Sequence, residues 1–215
     1  MTSMSSHLAR AIEDVKVGKP VILVDSPDRE NEGDFVVAAQ YANTSNISFL
    51  FAYSSRMLCV PMLPERLEFL GLHPVTPQPT RRHACSFYTP VDPRSGNTGL
   101  GLEDRLLVIE GLLNDEVPVT HEHSRLAIPG HTFPLRVHPD GLLGRQGHTE
   151  GSVALMCFAG LYLGAVIAEV WNSEKHRPMD GKTVALFARE HQLSVVGIDE
   201  LVAYQQSLPR TAKIS

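Results

Sequence analysis

The sequence predicts an α+β fold, a mixed α/β sandwich in which helices flank a mixed β-sheet. Short apolar runs of strand length recur along the chain, segments with helical spacing lie between them, and neither an internal repeat nor a change in composition divides the chain. The composition is globular, because 43% of the 215 residues are hydrophobic and 20% are charged. We therefore expect a single domain over residues 1–215, with flexible ends at 1–6 and 207–215.

The strands are predicted from apolar runs that charged, glycine or proline residues interrupt. Continuous apolar runs of four to eight residues are consistent with strands buried on both faces. The predicted strands cover residues 20–24, 35–39, 57–62, 85–91, 131–138, 164–170 and 193–198.

The helices are predicted from apolar residues three or four positions apart and from capping residues at their starts. The expected capping residues are Ser5 and Ser6 for the first helix, one of Asn43, Thr44 and Ser45 for the second, and Asp199 for the last. Pro64 suits the first turn of a third helix that ends at Gly71. Further helices are predicted at 102–113, 149–159 and 183–191, and a long polar connection at 114–129.

Charge and cysteine usage exclude several classes of protein. The formal net charge of −5 disfavours a general nucleic-acid binder but permits a small anionic metabolite held by a local cluster. Cys59, Cys85 and Cys157 are far apart and form no C-x-x-C pair, so we expect no disulfide framework. The chain has no signal-peptide pattern at residues 1–10 and no apolar run near the roughly 20 residues that span a bilayer. A cytoplasmic protein without a membrane partner is predicted.

The segment 25–34 is the first candidate site. It places five carboxylates and one arginine between two apolar strands: Asp25, Asp28, Arg29, Glu30, Glu32 and Asp34. Carboxylates this close repel one another, so a folded loop of this kind gains from a cation, and Mg²⁺ takes oxygen ligands. The alternative is a solvated surface turn.

The segment 145–150 is the second candidate site, because it precedes an apolar helix. Thr149 is the expected N-cap, and the free N–H groups of a helix start bind anions. Arg145 adds a fork of donors that suits phosphate, and His148 can ligate a metal through a neutral imidazole nitrogen. A plain capped helix with a surface arginine and histidine is the alternative.

Glu169 and His131 are further candidates, because each lies in or beside an apolar strand. A carboxylate within a core strand is costly to bury unless it is paired or bound to metal, and it can serve as an acid or base. A strand end that points to solvent is the alternative for Glu169. The cluster 121–123 is expected to be a surface feature, and Cys59 and Cys157 are most simply read as core residues.

Four segments in this order resemble the 3,4-dihydroxy-2-butanone 4-phosphate synthase family of riboflavin biosynthesis. They are D-x-x-x-R-E-N-E-G-D at 25–34, P-G-H-x-F-P-L at 129–135, G-H-T-E at 147–150, and Glu169 followed by Asn172. The resemblance runs from about Ile12 to Tyr204 and implies that family's fold. The GTP cyclohydrolase II domain that often follows in the family is not expected here.

The resemblance implies a Mg²⁺-dependent lyase, with Mn²⁺ as an alternative ion and up to two ions per site. Such enzymes convert ribulose 5-phosphate to 3,4-dihydroxy-2-butanone 4-phosphate and formate, as homodimers with sites near the subunit interface. The implied metal ligands are Glu30 and His148, and the implied catalytic residues are Asp34, Cys59, His131 and Glu169. The implied substrate-binding residues are Asp25, Arg29, Glu30, Asp34, Thr98, Arg145, Gly147, His148, Thr149 and Glu169.

The chain departs from the family pattern around these residues. The changed positions are Tyr53–Arg56, 84–89, Asn97, Ile128 and 173–179. Two alternatives to a ribulose 5-phosphate synthase therefore stay open. One is a diverged paralogue in specialised metabolism that acts on another sugar phosphate, and the other is a non-catalytic sugar-phosphate-binding protein.

Overall fold

The computed structural model describes residues 4–78, 80, 85–95 and 97–208, and the predicted flexible positions 1–3 and 209–215 lie outside this range. The helices are α1 Ser6–Lys16, α2 Thr44–Tyr53, α3 Pro64–Phe69, α4 Leu102–Asn114, α5 Gly141–Gly144, α6 His148–Phe158, α7 Gly181–Glu190 and α8 Ile198–Ser207, with a short 3₁₀ helix at Ala39–Tyr41. The strands are β1 Val21–Val24, β2 Gly33–Ala38, β3 Cys59–Met62, β4 Ser86–Phe87, β5 Val91–Pro93, β6 Leu126–Arg136, β7 Ala165–Glu169, β8 Trp171–Asn172, β9 Arg177–Pro178 and β10 Val195–Gly197.

A mixed sheet forms the centre of the molecule, as predicted. Its strand order is β10-β1-β2-β7-β3-β6-β4, and β5 pairs with β6 outside this path. The β1–β10 and β3–β6 pairs are parallel, whereas β1–β2 and β2–β7 are antiparallel. The small hairpin β8–β9 lies beside this sheet.

Helices cover both faces of the sheet, and the alternation of side chains along each strand assigns residues to one face or the other. On one face, Ile22 and Phe35 pack in a core with apolar residues of α2, α3, α4 and α7. On the other face, Leu23 and Val36 pack with apolar residues of α1, α6 and α8. Because successive strand residues point to opposite faces, apolar residues on both sides explain the continuous apolar runs in the sequence.

Several predicted element boundaries are wrong. The strand predicted at 85–91 is two short strands, β4 and β5. Strand β6 begins at Leu126, inside the predicted polar connection, because its first residues pair with β5. Asp199 lies within the first turn of α8, and the backbone N–H of Gly197 donates to Glu200 Oε1 at 3.1 Å. No described helix is long and apolar enough to cross a membrane.

Candidate active site

The candidate site residues meet at one end of the sheet because β2 lies between β1 and β7 and is antiparallel to both. Strand β1 ends at Val24, and the acidic loop 25–32 returns the chain to the start of β2. The end of β7 lies beside that start, with Asp34 directly opposite Glu169. Directly opposed residues on antiparallel strands have neighbouring side chains. The topology therefore places two carboxylates side by side at the mouth of the acidic loop.

The face of the sheet that carries these carboxylates is the one covered by α6. Asp34 lies two residues before Val36, and Glu169 lies two residues after Ile167, so each carboxylate shares a face of the sheet with that apolar residue. Both apolar residues pack in the core formed with α6. Cys59 packs in the same core and pairs in register with Ile167. Helix α6 begins at His148, so the first residues of this helix meet the carboxylates of the sheet.

Asp25 organises the acidic loop. Its Oδ1 accepts the backbone N–H of Glu32 at 2.9 Å, and its Oδ2 accepts that of Glu30 at 3.1 Å. Arg29 Nη1 also donates to Asp25 Oδ2, at 2.6 Å, and to the carboxylate of Glu30. The loop itself therefore supplies three donors to the Asp25 carboxylate, while the Glu30 side chain remains 39% exposed.

Glu30, His148 and Asp25 form a cluster that could hold a divalent ion. One ligand atom of each lies within 4.8 Å of those of the other two. The His148 side chain is only 8% exposed, its Nδ1 is 3.8 Å from Asp34 Oδ1, and its buried Nε2 has no hydrogen-bond partner among the described residues. A buried polar atom without a partner is costly, so this imidazole fits a ligand that supplies one. Carboxylate oxygens suit Mg²⁺ or Mn²⁺, and a neutral imidazole nitrogen is a common metal ligand.

The electrostatics of the site favour a bound cation. Burial is the largest cause that raises the pKa of Asp34, to about 6, and Glu169 and Glu30 raise it further against the lowering effect of His148. Burial and the neighbouring carboxylates Glu169, Glu30 and Asp34 raise the pKa of Glu32 to about 7. Carboxylates in this state bind a divalent cation or hold a proton near neutral pH.

A cavity of about 650 Å³ opens in front of these carboxylates, a size that suits a small metabolite. Its polar lining comes from the acidic loop, the sheet end and the start of α6. The residues that line it are Arg29, Glu30, Glu32, Asp34, Met57, Cys59, Val75, Thr76, Thr80, Cys85, Phe87, Leu135, His148, Thr149, Ile167, Ala168, Glu169 and Pro178.

The start of α6 lies in the cavity wall, but the predicted cap is wrong. Gly147 is the N-cap and Thr149 lies in the first turn, where its hydroxyl is 3.5 Å from Cys85 Sγ. Arg145 contacts the Glu150 carboxylate at 2.6 Å and Cys85 Sγ at 3.2 Å. A side chain at Gly147 would collide with Arg145 Nη1, at 2.4 Å from an added Cβ, so glycine lets the arginine approach the helix start.

Five predicted residues are not among those that line this cavity within one chain: Asp25, Thr98, His131, Arg145 and Gly147. Asp25 lies in the acidic loop, and Arg145 and Gly147 lie just before α6. Thr98 is exposed in the loop before α4. His131 lies on β6, with its side chain 51% exposed, and its Nδ1 pairs with Asp92 Oδ2 at 2.7 Å. Asp92 also accepts the backbone N–H of His131 at 2.9 Å, so this carboxylate fixes the position of the imidazole.

The sequence analysis missed two residues that the structure makes prominent. Asp92 is an ordinary aspartate in a turn-rich segment, and no local signal connects it with His131. Cys85 is not among the predicted site residues, yet its sulfur lies in the cavity wall next to Arg145 and Thr149. Proximity of this kind arises from the sheet order and has no counterpart in sequence spacing.

The chain belongs to the 3,4-dihydroxy-2-butanone 4-phosphate synthase family, whose family model matches residues 9–204. The riboflavin biosynthesis protein RibBA of Endomicrobium trichonymphae is 39% identical over 202 residues, which are 94% of this chain and 49% of that protein. RibBA of Aquifex aeolicus is 39% identical over 203 residues, 91% of this chain and 48% of that protein. The chain thus spans about half the length of the curated relatives it matches.

Solved structures of the family share the fold. A crystal structure of 3,4-dihydroxy-2-butanone 4-phosphate synthase in complex with two magnesium ions is 30% identical, with a TM-score of 0.84 over 96% of this chain and 99% of that chain. The two-domain synthase RibBX of A. baumannii is 28% identical, with a TM-score of 0.87 over 95% of this chain and 59% of that chain. The predicted mixed α/β architecture is confirmed by these neighbours.

Proposed function

We propose that this protein converts D-ribulose 5-phosphate to 3,4-dihydroxy-2-butanone 4-phosphate and formate, with Mg²⁺ as cofactor. The observation that carries the proposal is the meeting of Glu30 and His148, remote in sequence, within one metal-sized cluster beside an anion-binding helix start. Family membership and the magnesium-bound relative support the same activity.

Glu30 and His148 are the proposed metal ligands. Asp25 holds the loop that presents Glu30, because its carboxylate accepts the backbone N–H groups of Glu30 and Glu32. Asp34 lies behind His148 and its negative charge orients the imidazole. When bound, a divalent ion supplies Lewis-acid polarisation of a ketone oxygen and a common centre for neighbouring hydroxyl oxygens.

The phosphate end of the substrate is proposed to lie at the start of α6. The first backbone N–H groups of this helix and the Thr149 hydroxyl can donate to phosphate oxygens, and Arg145 adds positive charge close by. Gly147 permits the close approach of Arg145. With the phosphate there, the carbon chain of a pentulose extends toward Glu169 and Asp34.

Proton transfer is proposed to involve Asp34, Glu169 and Cys59. Asp34, whose pKa is about 6, exchanges a proton near neutral pH, which suits a general acid or base. Glu169 lies opposite it on β7, on the same face of the sheet. Burial raises the pKa of Cys59 well above its usual value, so its thiol stays protonated and can only donate a proton.

A homodimer is part of the proposal because Thr98 and His131 lie away from the cavity of their own chain. A second copy could bring these two residues to the site, as the resemblance implies for the family. Mixing His131→Ala with His148→Ala, each inactive alone, should then restore about a quarter of the wild-type activity, since half of the random dimers carry one intact site. No restoration, with mixed dimers demonstrated, would show that the sites are not shared.

A diverged activity on another sugar phosphate is the second candidate. Cys85, Phe87 and Pro178 line the cavity, and all three fall in segments that depart from the family pattern. These side chains border the space in which substrate would lie. The proposed metal ligands, in contrast, are the same residues that the family pattern has at those positions. Manganese as an alternative ion, a second ion per site and a cytoplasmic location stay predictions.

The test is to incubate the protein with ribulose 5-phosphate and Mg²⁺ and to measure formate. Glu30→Ala and Glu169→Ala should abolish release, and Glu122→Ala, an exposed carboxylate outside the site, should leave it unchanged. Formate that persists in the two site variants contradicts the proposed residues. Absence of turnover with Mg²⁺-dependent binding of a different phosphosugar favours the diverged enzyme, and binding of several sugar phosphates without turnover of any favours the non-catalytic protein.

A further inference from the structure

His131 lies in an irregular part of strand β6. The register between β5 and β6 shifts at Asp92, which pairs with Ala127, while the residue before it pairs with Thr132. The residues 128–131 therefore bulge out of the pairing between the two strands. Bulges redirect side chains and are over-represented beside active sites. Within this bulge the His131 side chain is 51% exposed and lies next to the Asp92 carboxylate.

Both oxygens of the Asp92 carboxylate contact His131. Oδ1 accepts the backbone N–H of His131 at 2.9 Å, and Oδ2 lies 2.7 Å from Nδ1 of the ring. An ionised carboxylate can only accept, so Nδ1 is the donor in this contact. A neutral imidazole carries one ring proton, so Nε2 is then a proton acceptor. This nitrogen has no hydrogen-bond partner among the residues that the structure describes.

The surroundings of Asp92 leave its carboxylate little freedom. Its side chain is only 15% exposed. Gly99, whose φ of +76° favours glycine, lies so close that an added Cβ would be 2.1 Å from Asp92 Cγ. The buried guanidinium of Arg105 donates to the Thr132 hydroxyl at 2.8 Å. Burial lowers the pKa of this guanidinium, and the nearby charges of Asp92 and Asp104 oppose that effect, so a fixed cation lies near the Asp92 carboxylate.

The other described histidines have different surroundings. Nδ1 of His138 accepts the backbone N–H of Asp140 at 3.1 Å, and Nδ1 of His121 accepts that of His123 at 3.2 Å. A nitrogen that accepts carries no proton, so the neutral forms of these two rings hold their proton on Nε2. In the other histidine–carboxylate pairs that the structure describes, the nitrogen and the oxygen are 3.8 Å apart. The close carboxylate gives His131 the opposite arrangement.

We propose that Asp92 is a positioning residue for catalysis: it holds neutral His131 with the proton on Nδ1, so that the exposed Nε2 accepts a proton from the substrate. The Nε2 lone pair takes the proton, the electron pair of the broken bond stays on the substrate, and the Asp92 carboxylate stabilises the imidazolium that forms. Because His131 does not line the cavity of its own chain, this substrate is bound by a second copy. The proton transfer rests on the proposed function, whereas the position of the ring proton does not.

Nuclear magnetic resonance of the full-length protein with isotope-labelled histidine measures the position of the ring proton. The spectra are recorded at a pH high enough for the imidazoles to be neutral. Two-bond nitrogen–hydrogen correlations distinguish the two tautomers, and the signals lost in His131→Gln are those of His131. His131 should carry its proton on Nδ1, whereas His121 and His138 should carry theirs on Nε2. A His131 proton on Nε2 overturns the proposal.

Asp92→Asn should move the His131 proton to Nε2. The backbone N–H of His131 requires an acceptor, so the amide oxygen takes the place of Oδ1 and the amide NH₂ group faces Nδ1, which then accepts. Asp140→Asn is the matched control, because its exposed carboxylate lies 3.8 Å from the ring of another histidine, His138. This control should leave the His131 tautomer unchanged. A tautomer that also stays unchanged in Asp92→Asn contradicts the role of the carboxylate.

Formate release measures the consequence for catalysis. A neutral ring with its proton on Nε2 cannot accept a proton there, so Asp92→Asn should lower kcat by about 10²-fold or more and keep KM within about threefold. Asp140→Asn should keep kcat within about twofold, as expected for a surface substitution. A loss of kcat without a change of tautomer would assign Asp92 a structural role and overturn the proposal.

The outcomes separate this proposal from the proposed function. Wild-type protein that releases no formate from ribulose 5-phosphate contradicts the proposed function, and the tautomers of wild type and Asp92→Asn still decide whether the carboxylate sets the ring proton. Formate release by the wild type, with full kcat in an Asp92→Asn protein whose tautomer has changed, upholds the activity and overturns the role of Asp92 in it.

Discussion

Two buried aspartates, Asp34 at the cavity and Asp115 after α4, show how the same side chain serves different purposes. The Asp115 side chain is 2% exposed and fully partnered: it accepts from the Ser124 hydroxyl, the Arg125 backbone N–H and Arg125 Nε, all at 2.8–2.9 Å. The Asp34 side chain is 9% exposed, and the His148 Nδ1 atom lies 3.8 Å from its Oδ1, beyond hydrogen-bond distance.

The contrast distinguishes Asp115, a carboxylate that supports the fold, from Asp34, a carboxylate that is proposed to act on a ligand. A buried carboxylate that accepts from several donors is compensated for its loss of hydration. A buried carboxylate among other carboxylates is not, and it lowers the free energy of unfolding. A fold retains such a group where function needs it, which supports the proposed role of Asp34, whereas Asp115 lies at a structural junction.

The largest difference is expected in activity. Asp34→Asn should lower kcat for formate release by about 10³-fold, since a positioned acid or base contributes that order of magnitude. Asp115→Asn, measured per folded molecule, should keep kcat within about twofold because Asp115 lies at a junction outside the cavity. Equal losses in the two variants would break the distinction between the two aspartates.

Removal of the partnered carboxylate should give the next largest effect. Asp115→Ala leaves the Ser124 hydroxyl and the Arg125 guanidinium without their acceptor, and should lower the free energy of unfolding by about 3 kcal/mol in urea titrations. Glu110→Ala removes an exposed partner of the same arginine and should cost under about 1 kcal/mol. A similar decrease in the free energy of unfolding for both variants would mean that the buried contacts of Asp115 contribute no more than the exposed contact of Glu110.

Asp34→Asn should instead stabilise the metal-free protein at pH 7, by on the order of 2 kcal/mol. The pKa of Asp34 is raised from 3.8 to about 6 in the folded state, so its contribution to stability is greatest below pH 4 and is lost as pH rises toward 6. The raised pKa of Glu32 extends the decline toward pH 7. Urea unfolding in EDTA between pH 4 and 8 measures both slopes, and a variant less stable than wild type at pH 7 contradicts the assignment.

Mg²⁺ should have the smallest of these effects. At ten times its Kd it should stabilise the wild-type protein by about 1.4 kcal/mol in thermal unfolding, because it binds the folded state. Glu30→Gln should lose this gain, and Asp28→Asn, an exposed carboxylate of the same loop, should keep it. A gain that survives in Glu30→Gln would place the ion elsewhere.

The fold was predictable where a pattern is local and periodic. The first helix and the runs that became β1, β2 and β7 follow from apolar spacing and flanking charge. Prediction failed where tertiary contacts decide the structure: β6 begins at Leu126 because β5 lies there to pair with it. Helix α6 begins at His148 with Gly147 as its N-cap, so the hydroxyl of Thr149 does not cap the helix.

The candidate site was predictable in its residue types and only in part in its geometry. The acidic loop and the segment 147–150 are dense enough in functional groups to be found in the sequence, and Glu30 and His148 do meet. The pairing of His131 with Asp92 and the contact of Cys85 with Arg145 were not predictable, because each joins strands or loops that only the sheet order brings together.

The sequence by itself determined the alternation of apolar strands with helices, the concentration of carboxylates in one loop and the presence of a glycine before a helix start, since these depend on neighbours along the chain. The tertiary structure decided which carboxylate accepts from several donors and which accepts from none among the residues that the structure describes. Asp25, Asp34 and Asp115 are chemically identical, and only the groups that the fold packs around them make one a loop anchor, one a candidate acid or base, and one a structural partner.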